Sequence, residues 1–136
     1  MGIVCVKVRI CSLDKSKCVD TEAIVDTGST LTVIPKNIAE ELELKVRRID
    51  KVLTGSGLIN IEVSSAIIEI MGKETVNDVW ISPSIDRVLI GAVTLECLGL
   101  RVDPITGRLV ETFQMFYLSN LCQVSTSTED FIYQSM

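Results

Sequence analysis

The chain has 136 residues, 47% apolar and 23% charged, with a net charge of −5. That length suits one domain with a sizeable core. The acidic balance, relieved only by a local cluster of Arg47, Arg48 and Lys51, argues against a nucleic-acid partner. Histidine is absent, which excludes Ser-His and Cys-His nucleophile systems and histidine-based zinc sites.

In chain order, IVCVKVRI at 3–10 reads as a strand with Lys7 and Arg9 on one face, and SLDKSK at 12–17 as a turn. Cys18 to Val25 reads as the returning strand, carrying Ala23, Ile24 and Val25 toward Asp26. After DTGST, Leu31 to Ile34 is short and β-prone. Pro35 then opens a helix over PKNIAEELEL as its first residue, with Ile38, Ala39 and Leu42 on the apolar face. LTGSG is a turn followed by INIEV in clean alternation. SAIIEI, MGKE and TVNDVWI form a further strand, turn and strand. VLIG at 88–91 is a short buried strand ended by glycine, and VTLECLGL is a helical turn or two stopped at Gly99. RVDPITGRLVE reads as a hairpin, with a turn at Asp103-Pro104 and Gly107 in a left-handed or bulge position. Many short strands and one or two short helices predict an all-β fold, a closed or strongly curved barrel.

No apolar run approaches the length of a membrane span, and MGIVCVKVRI lacks a signal-peptide pattern. The expectation is a soluble, cytoplasmic protein with no membrane partner. The five cysteines (Cys5, Cys11, Cys18, Cys97 and Cys122) are odd in number and irregularly spaced. Neither a disulfide framework nor a cysteine-only metal site is expected from them. Cys97 is expected to be buried or interfacial, and Trp80, the sole tryptophan, to be a core or subunit-contact residue.

The segment AIVDTGSTLTVIP, 23–35, sets one carboxylate, Asp26, between an apolar run and small hydroxyl residues. Asp-Thr-Gly is a common turn, with the Asp accepting backbone N–H groups and Gly28 taking a positive φ. The same residues also suit hydrolysis. A rigidly held carboxylate acts as general base on water, and two carboxylates sharing one proton are the usual device. The hydroxyls of Thr27, Ser29 and Thr30 are placed to fix the carboxyl oxygens and the loop. There is no second D-T-G or D-S-G, so the chain holds at most half of such a pair.

AIVDTGSTLTVIP resembles the active-site loop of aspartic proteases, and the single-domain length resembles their retropepsin-like, retroviral-type branch. VLIGAVTLECLGL, 88–100, resembles the family's apolar–apolar–Gly segment and short helix, which cross behind the catalytic loop. LRVDPITGRLVE is similar to the C-terminal hairpin of the prokaryotic members, and SAIIEIMGKETVNDVWIS resembles the strand pair before that glycine. The likeness covers roughly residues 3–111, read as the protease domain 1–111, with 112–136 as a C-terminal extension whose FQMFYL segment supplies dimer area or shelters the subunit surface.

The resemblance implies a retropepsin-like acid-protease barrel acting as a homodimeric aspartic endopeptidase (a hydrolase) on peptides or unfolded proteins, without metal or organic cofactor. Each subunit would contribute Asp26 to a water-activating pair on the two-fold axis. Thr27 would hydrogen-bond across that axis, and Gly28 would line the water and substrate site through its backbone. Ser29, Thr30 and Gly91 would support the loop. The flap would be VLTGSGLIN with Gly55 at its tip, and Ile59, Ile61, Val88 and Ile90 would line an apolar groove. Two other readings stay open from the residues alone. One is a non-catalytic dimeric β-barrel of the same fold that binds a peptide or scaffolds an interaction. The other is an isolated D-T-G turn in an unrelated monomeric β domain.

Overall fold

Alternation in the first segment produces β1 (Cys5–Cys11), which buries Val8 and Ile10 and leaves Lys7 and Arg9 outside. The structure, a computed structural model, describes residues 2–113. β1 pairs antiparallel with β2 (Cys18–Val25), from Cys11↔Cys18 to Cys5↔Ile24. β3 (Thr32–Pro35) and helix α1 (Lys36–Glu41) follow, then the hairpin of β4 (Arg48–Thr54) and β5 (Gly57–Ile70). β6 (Lys73–Ser82), β7 (Val88–Ile90), helix α2 (Ala92–Leu98), β8 (Leu100–Asp103) and β9 (Arg108–Glu111) complete the described chain.

The sheet runs β1-β2-β7-β3-β6-β5-β4, and a further pairing of β1 with β5 closes its first six strands into a barrel. β4 lies outside that ring, paired only with the first half of β5. Closure removes the exposed edges that a short open sheet would present. Val8, Ile10, Ala23, Ile34, Ile68, Val79, Val88 and Ile90 fill the interior, with Leu95 and Leu98 of α2 packed against them. β8 and β9 form a separate two-stranded sheet. The barrel with two short helices agrees with the sequence reading, but it is mixed, because β2 pairs parallel with β7 and β3 parallel with β6.

Several local features differ from the sequence-based expectation. Pro35 ends β3 and caps α1 rather than opening it; its ψ of 146° is extended. β5 is one 14-residue strand, not two. Ser64, between the expected strands INIEV and SAIIEI, and Ser65 keep strand pairing, and their hydroxyls find partners: Ser64 Oγ donates to the Lys45 carbonyl (2.6 Å) and Ser65 Oγ to Asp78 Oδ1 (3.1 Å). Between β5 and β6, Met71 and Gly72 both take positive φ (55° and 79°), the conformation a two-residue hairpin of matching twist requires. Cys97 is exposed in the subunit rather than buried, with its Sγ 3.6 Å from the Asn77 amide nitrogen. The FQMFYL segment beyond Phe113 lies outside the described residues.

The cysteine expectation is also overturned. Cys11 and Cys18 are opposite each other at the closed end of the β1–β2 hairpin and form a disulfide. Spacing alone hid it, because the pairing depends on the strand register. A seven-residue separation implies a loop-closure contribution of ~2–3 kcal/mol. Cys18→Ser should therefore lower the urea midpoint of unfolding, and a dithiol reductant should shift the wild-type protein equally. Unchanged midpoints in both would show that the bond contributes nothing to stability.

Candidate active site

Asp26 sits where β2 ends. Its backbone N–H donates to the Ile90 carbonyl (2.8 Å), continuing the parallel β2–β7 ladder by one bond. The chain then folds into a tight turn, with the Ser29 N–H on the Asp26 carbonyl (3.0 Å) and the Gly28 N–H on Asp26 Oδ1 (3.1 Å). The carboxylate is thus half-buried and oriented by the backbone, while Thr27 and Gly28 are exposed. Gly28 does not take a positive φ. Its lack of a side chain matters for another reason: a Cβ there would stand 3.3 Å from Asp26 Oδ1 and press on the carboxylate.

The loop is held from behind by the β7–α2 junction. Gly91 N–H donates to Thr32 Oγ1 (3.0 Å), Ala92 N–H to the Ser29 carbonyl (2.8 Å) and Val93 N–H to the Thr30 carbonyl (3.0 Å). Loop carbonyls thereby satisfy N–H groups that open α2 and have no partner within the helix. Ser29 Oγ donates to the Leu31 carbonyl (2.7 Å). Buried beneath, the Thr32 and Thr94 hydroxyls share a 2.7 Å hydrogen bond, and both residues are fully buried. Two residues more than sixty positions apart therefore fix one loop. Sequence reading missed this pair, whose only signal was a hydroxyl amid apolar residues in LTVIP and in VTLECL.

Thr32→Val is expected to cost ~1–3 kcal/mol, since it orphans the Gly91 N–H and the Thr94 hydroxyl together. Thr94→Val should cost less, because Thr32 Oγ1 still accepts from Gly91. Urea denaturation of the two variants checks the order.

A family model described as aspartyl protease matches residues 6–92, which span the loop, the glycine junction and the barrel strands between them. The chain belongs to the aspartyl protease family. A comparison with curated proteins gives no significant match. Among solved structures, simian foamy virus protease is similar over 67% of this chain and 90% of its own, at 19% identity and a TM-score of 0.51. EIAV protease is similar over 72% and 89%, at 16% identity and a TM-score of 0.56. A retropepsin-like aspartic protease from Rickettsia conorii is similar over 75% and 85%, at 21% identity and a TM-score of 0.50. At such identities the likeness is one of fold, and the fold is retropepsin-like.

Within that fold the structure sorts the expected residues of this aspartyl protease chain. Asp26, Thr27, Gly28, Ser29, Thr30 and Gly91 come together in one loop and its support. Val88 and Ile90 do not line a surface: both are fully buried, facing the core with Ala23. Leu89, between them, pairs with Ile24 on one side and Val33 on the other and is half-buried. Three apolar residues in a row carry no alternation, so parity could not be read from VLI. Ile24 and Leu89, with Pro83, Ile85 and Arg87, border an open groove of about 610 Å³. A second groove of about 410 Å³ runs past Asp26 and Thr27, between Ile3 and Pro104.

Ile59 is exposed, but Ile61, expected to line the groove, is buried; they share one face of the β4–β5 hairpin with Val52 and Asp50. Gly55 lies in the two-residue tip and meets nothing within 4 Å. The conformational demand there falls on Gly57, at a φ of 110°. Thr54 closes the tip, accepting the Ser56 N–H (3.1 Å) and donating to the Gly57 carbonyl (2.8 Å). Among the described residues no cluster of His, Cys, Asp and Glu could hold a metal ion, and no helix is long and apolar enough to cross a membrane.

Proposed function

We propose that the chain is an aspartic endopeptidase that works as a homodimer, with residues 1–111 as the protease domain and 112–136 as an extension of it. The observation that carries this reading is the single Asp26 carboxylate, oriented by Gly28 at the subunit surface in a loop locked from behind, with no second such aspartate in the chain. A two-fold axis through that loop supplies the partner, since residue 26 then faces residue 26.

The pair holds one water. The ionised Asp26 takes a proton as the water oxygen attacks the scissile carbonyl carbon, and the protonated Asp26 gives its proton to the carbonyl oxygen. As the tetrahedral diol collapses, one hydroxyl gives its proton to the ionised Asp26, the C–N bond breaks, and the amine leaves with the proton held by the other Asp26, so the pair again holds one proton. Thr27 braces the pair across the axis, and the Gly28 backbone borders the water. The side chain of Leu89, with Ile24, gives the groove an apolar lining, and the β4–β5 hairpin closes over the peptide with Val52 and Ile59 facing it. A cytoplasmic location completes the proposal; in that reducing compartment the Cys11–Cys18 pair would stand as thiols.

The test is cleavage of a peptide library between roughly pH 3 and pH 8, run beside sedimentation of the same sample. A dimer that cuts supports the reading. A dimer that binds peptide and never cuts would favour the non-catalytic barrel instead, and a monomer would overturn both.

A further inference from the structure

The β4–β5 hairpin is the least supported part of the described fold. β4 pairs only with β5, and β5 reaches β6 only from Glu62 onward. Residues 50–61 therefore project as a two-stranded ribbon, a form that is marginal in water unless its root holds it. Something at the root must set its angle.

The root carries a polar network across three strands. Arg48, Val63 and Trp80 form one lateral row on β4, β5 and β6. Val63 in the middle is fully buried. Above that row the Trp80 Nε1–H donates to Asp50 Oδ2 (3.2 Å), and Arg48 Nε donates to Asp50 Oδ1 (2.9 Å). Arg48 Nη1 also reaches Asp78 Oδ2 on β6 (3.1 Å), Arg47 pairs with the same carboxylate, and Ser65 Oγ donates to it (3.1 Å). Within the ribbon, among the described residues, Asp50 is the one whose side chain hydrogen-bonds to a barrel strand.

We infer that Asp50 is a positioning residue for the reaction, its bond to Trp80 setting the angle at which the β4–β5 hairpin covers the peptide. This rests on the protease reading. Asp50 shares its ribbon face with Val52, Ile59 and Ile61, so a tilt about the root carries those apolar side chains toward or away from bound substrate. The hydrogen bond from Arg48, then that from Trp80, holds the Asp50 carboxyl below the usual carboxylate range, so the anchor stays ionised down through mildly acidic pH. Asp50 touches no reacting atom; it acts through the hairpin.

The experiment compares wild-type protein with Asp50→Ala, Asp50→Asn and Trp80→Phe. Amide hydrogen exchange in residues 52–59 and the KM and kcat for a peptide substrate are measured on the full chain. Asp50→Ala should speed ribbon exchange about 10-fold, the scale of one lost charge-assisted hydrogen bond, and raise KM by a similar factor with a smaller change in kcat. Trp80→Phe should reproduce the exchange effect. Asp50→Asn keeps an acceptor for the indole and should recover most of it. Ribbon exchange and KM unchanged in Asp50→Ala would overturn the inference. So would faster exchange spread equally over β2 and β6, which would mark a general loss of stability. If the wild-type protein cleaves nothing, the protease reading fails, and ribbon exchange alone still decides whether Asp50 anchors the hairpin.

Discussion

Asp26→Asn is expected to lower peptide cleavage by about four orders of magnitude or more, the scale of losing acid–base chemistry on both sides of the scissile bond. The fold should survive. Asparagine keeps the shape and retains an Oδ1 acceptor for the Gly28 N–H, and the Asp26 N–H bond to Ile90 is a backbone contact. Unfolding stability should therefore stay within about 1 kcal/mol of wild type.

The sharper form of this experiment mixes subunits. If each site needs Asp26 from two copies, equal amounts of wild-type and Asp26→Asn chains, allowed to exchange, leave about a quarter of dimers with two aspartates. Activity per wild-type chain should then fall to about half. Activity that simply tracks the wild-type chains would place a complete site within each subunit and would defeat the dimeric mechanism.

Gly91→Ala should be the most damaging small substitution in the domain, costing about 4 kcal/mol or more. The backbone at Gly91 is extended (φ −91°, ψ 174°), so a conformational demand is not the cause. The cause is contact. A Cβ there would lie 2.4 Å from both the carbonyl carbon and the oxygen of Leu31, and 2.9 Å from the Ser29 oxygen. Both neighbours are backbone, so no rotamer change can make room. Relief requires the loop and the β7–α2 junction to separate, which strains the Gly91–Thr32, Ala92–Ser29 and Val93–Thr30 bonds. Circular dichroism and urea unfolding would show the loss. A soluble Gly91→Ala protein with a wild-type unfolding curve would mean that the crossing is looser than described.

These two residues separate what one-dimensional reading reaches from what it does not. Asp26 stood out as a candidate because its loop is contiguous, with carboxylate, small residues and glycine within a few positions, and the family resemblance then set it above an ordinary turn. Gly91 was legible only through resemblance, since nothing around VLIG states which backbone approaches it. The boundaries of β2 were readable from alternation and a bounding turn, and those of α2 nearly so, through Gly99, which takes the left-handed cap at φ 68°. β5 was split in reading at Ser64, between INIEV and SAIIEI, because a serine there shows no partner until Lys45 is in place.

The order of residues alone pointed to a β-rich barrel, marked out the D-T-G loop and excluded histidine nucleophile chemistry, because each depends on local pattern or composition. Tertiary structure decided the rest. Which of Val88, Leu89 and Ile90 faces outward depends on β2 and β3 lying alongside. Whether Cys11 meets Cys18 depends on hairpin register. That Thr32 and Thr94 share a hydrogen bond, and that Asp50 ties the hairpin to Trp80, depends on strands far apart in sequence being neighbours in space. A hydroxyl, a thiol or a carboxylate has no partner until a second segment arrives, so its role cannot be written in its own stretch of chain.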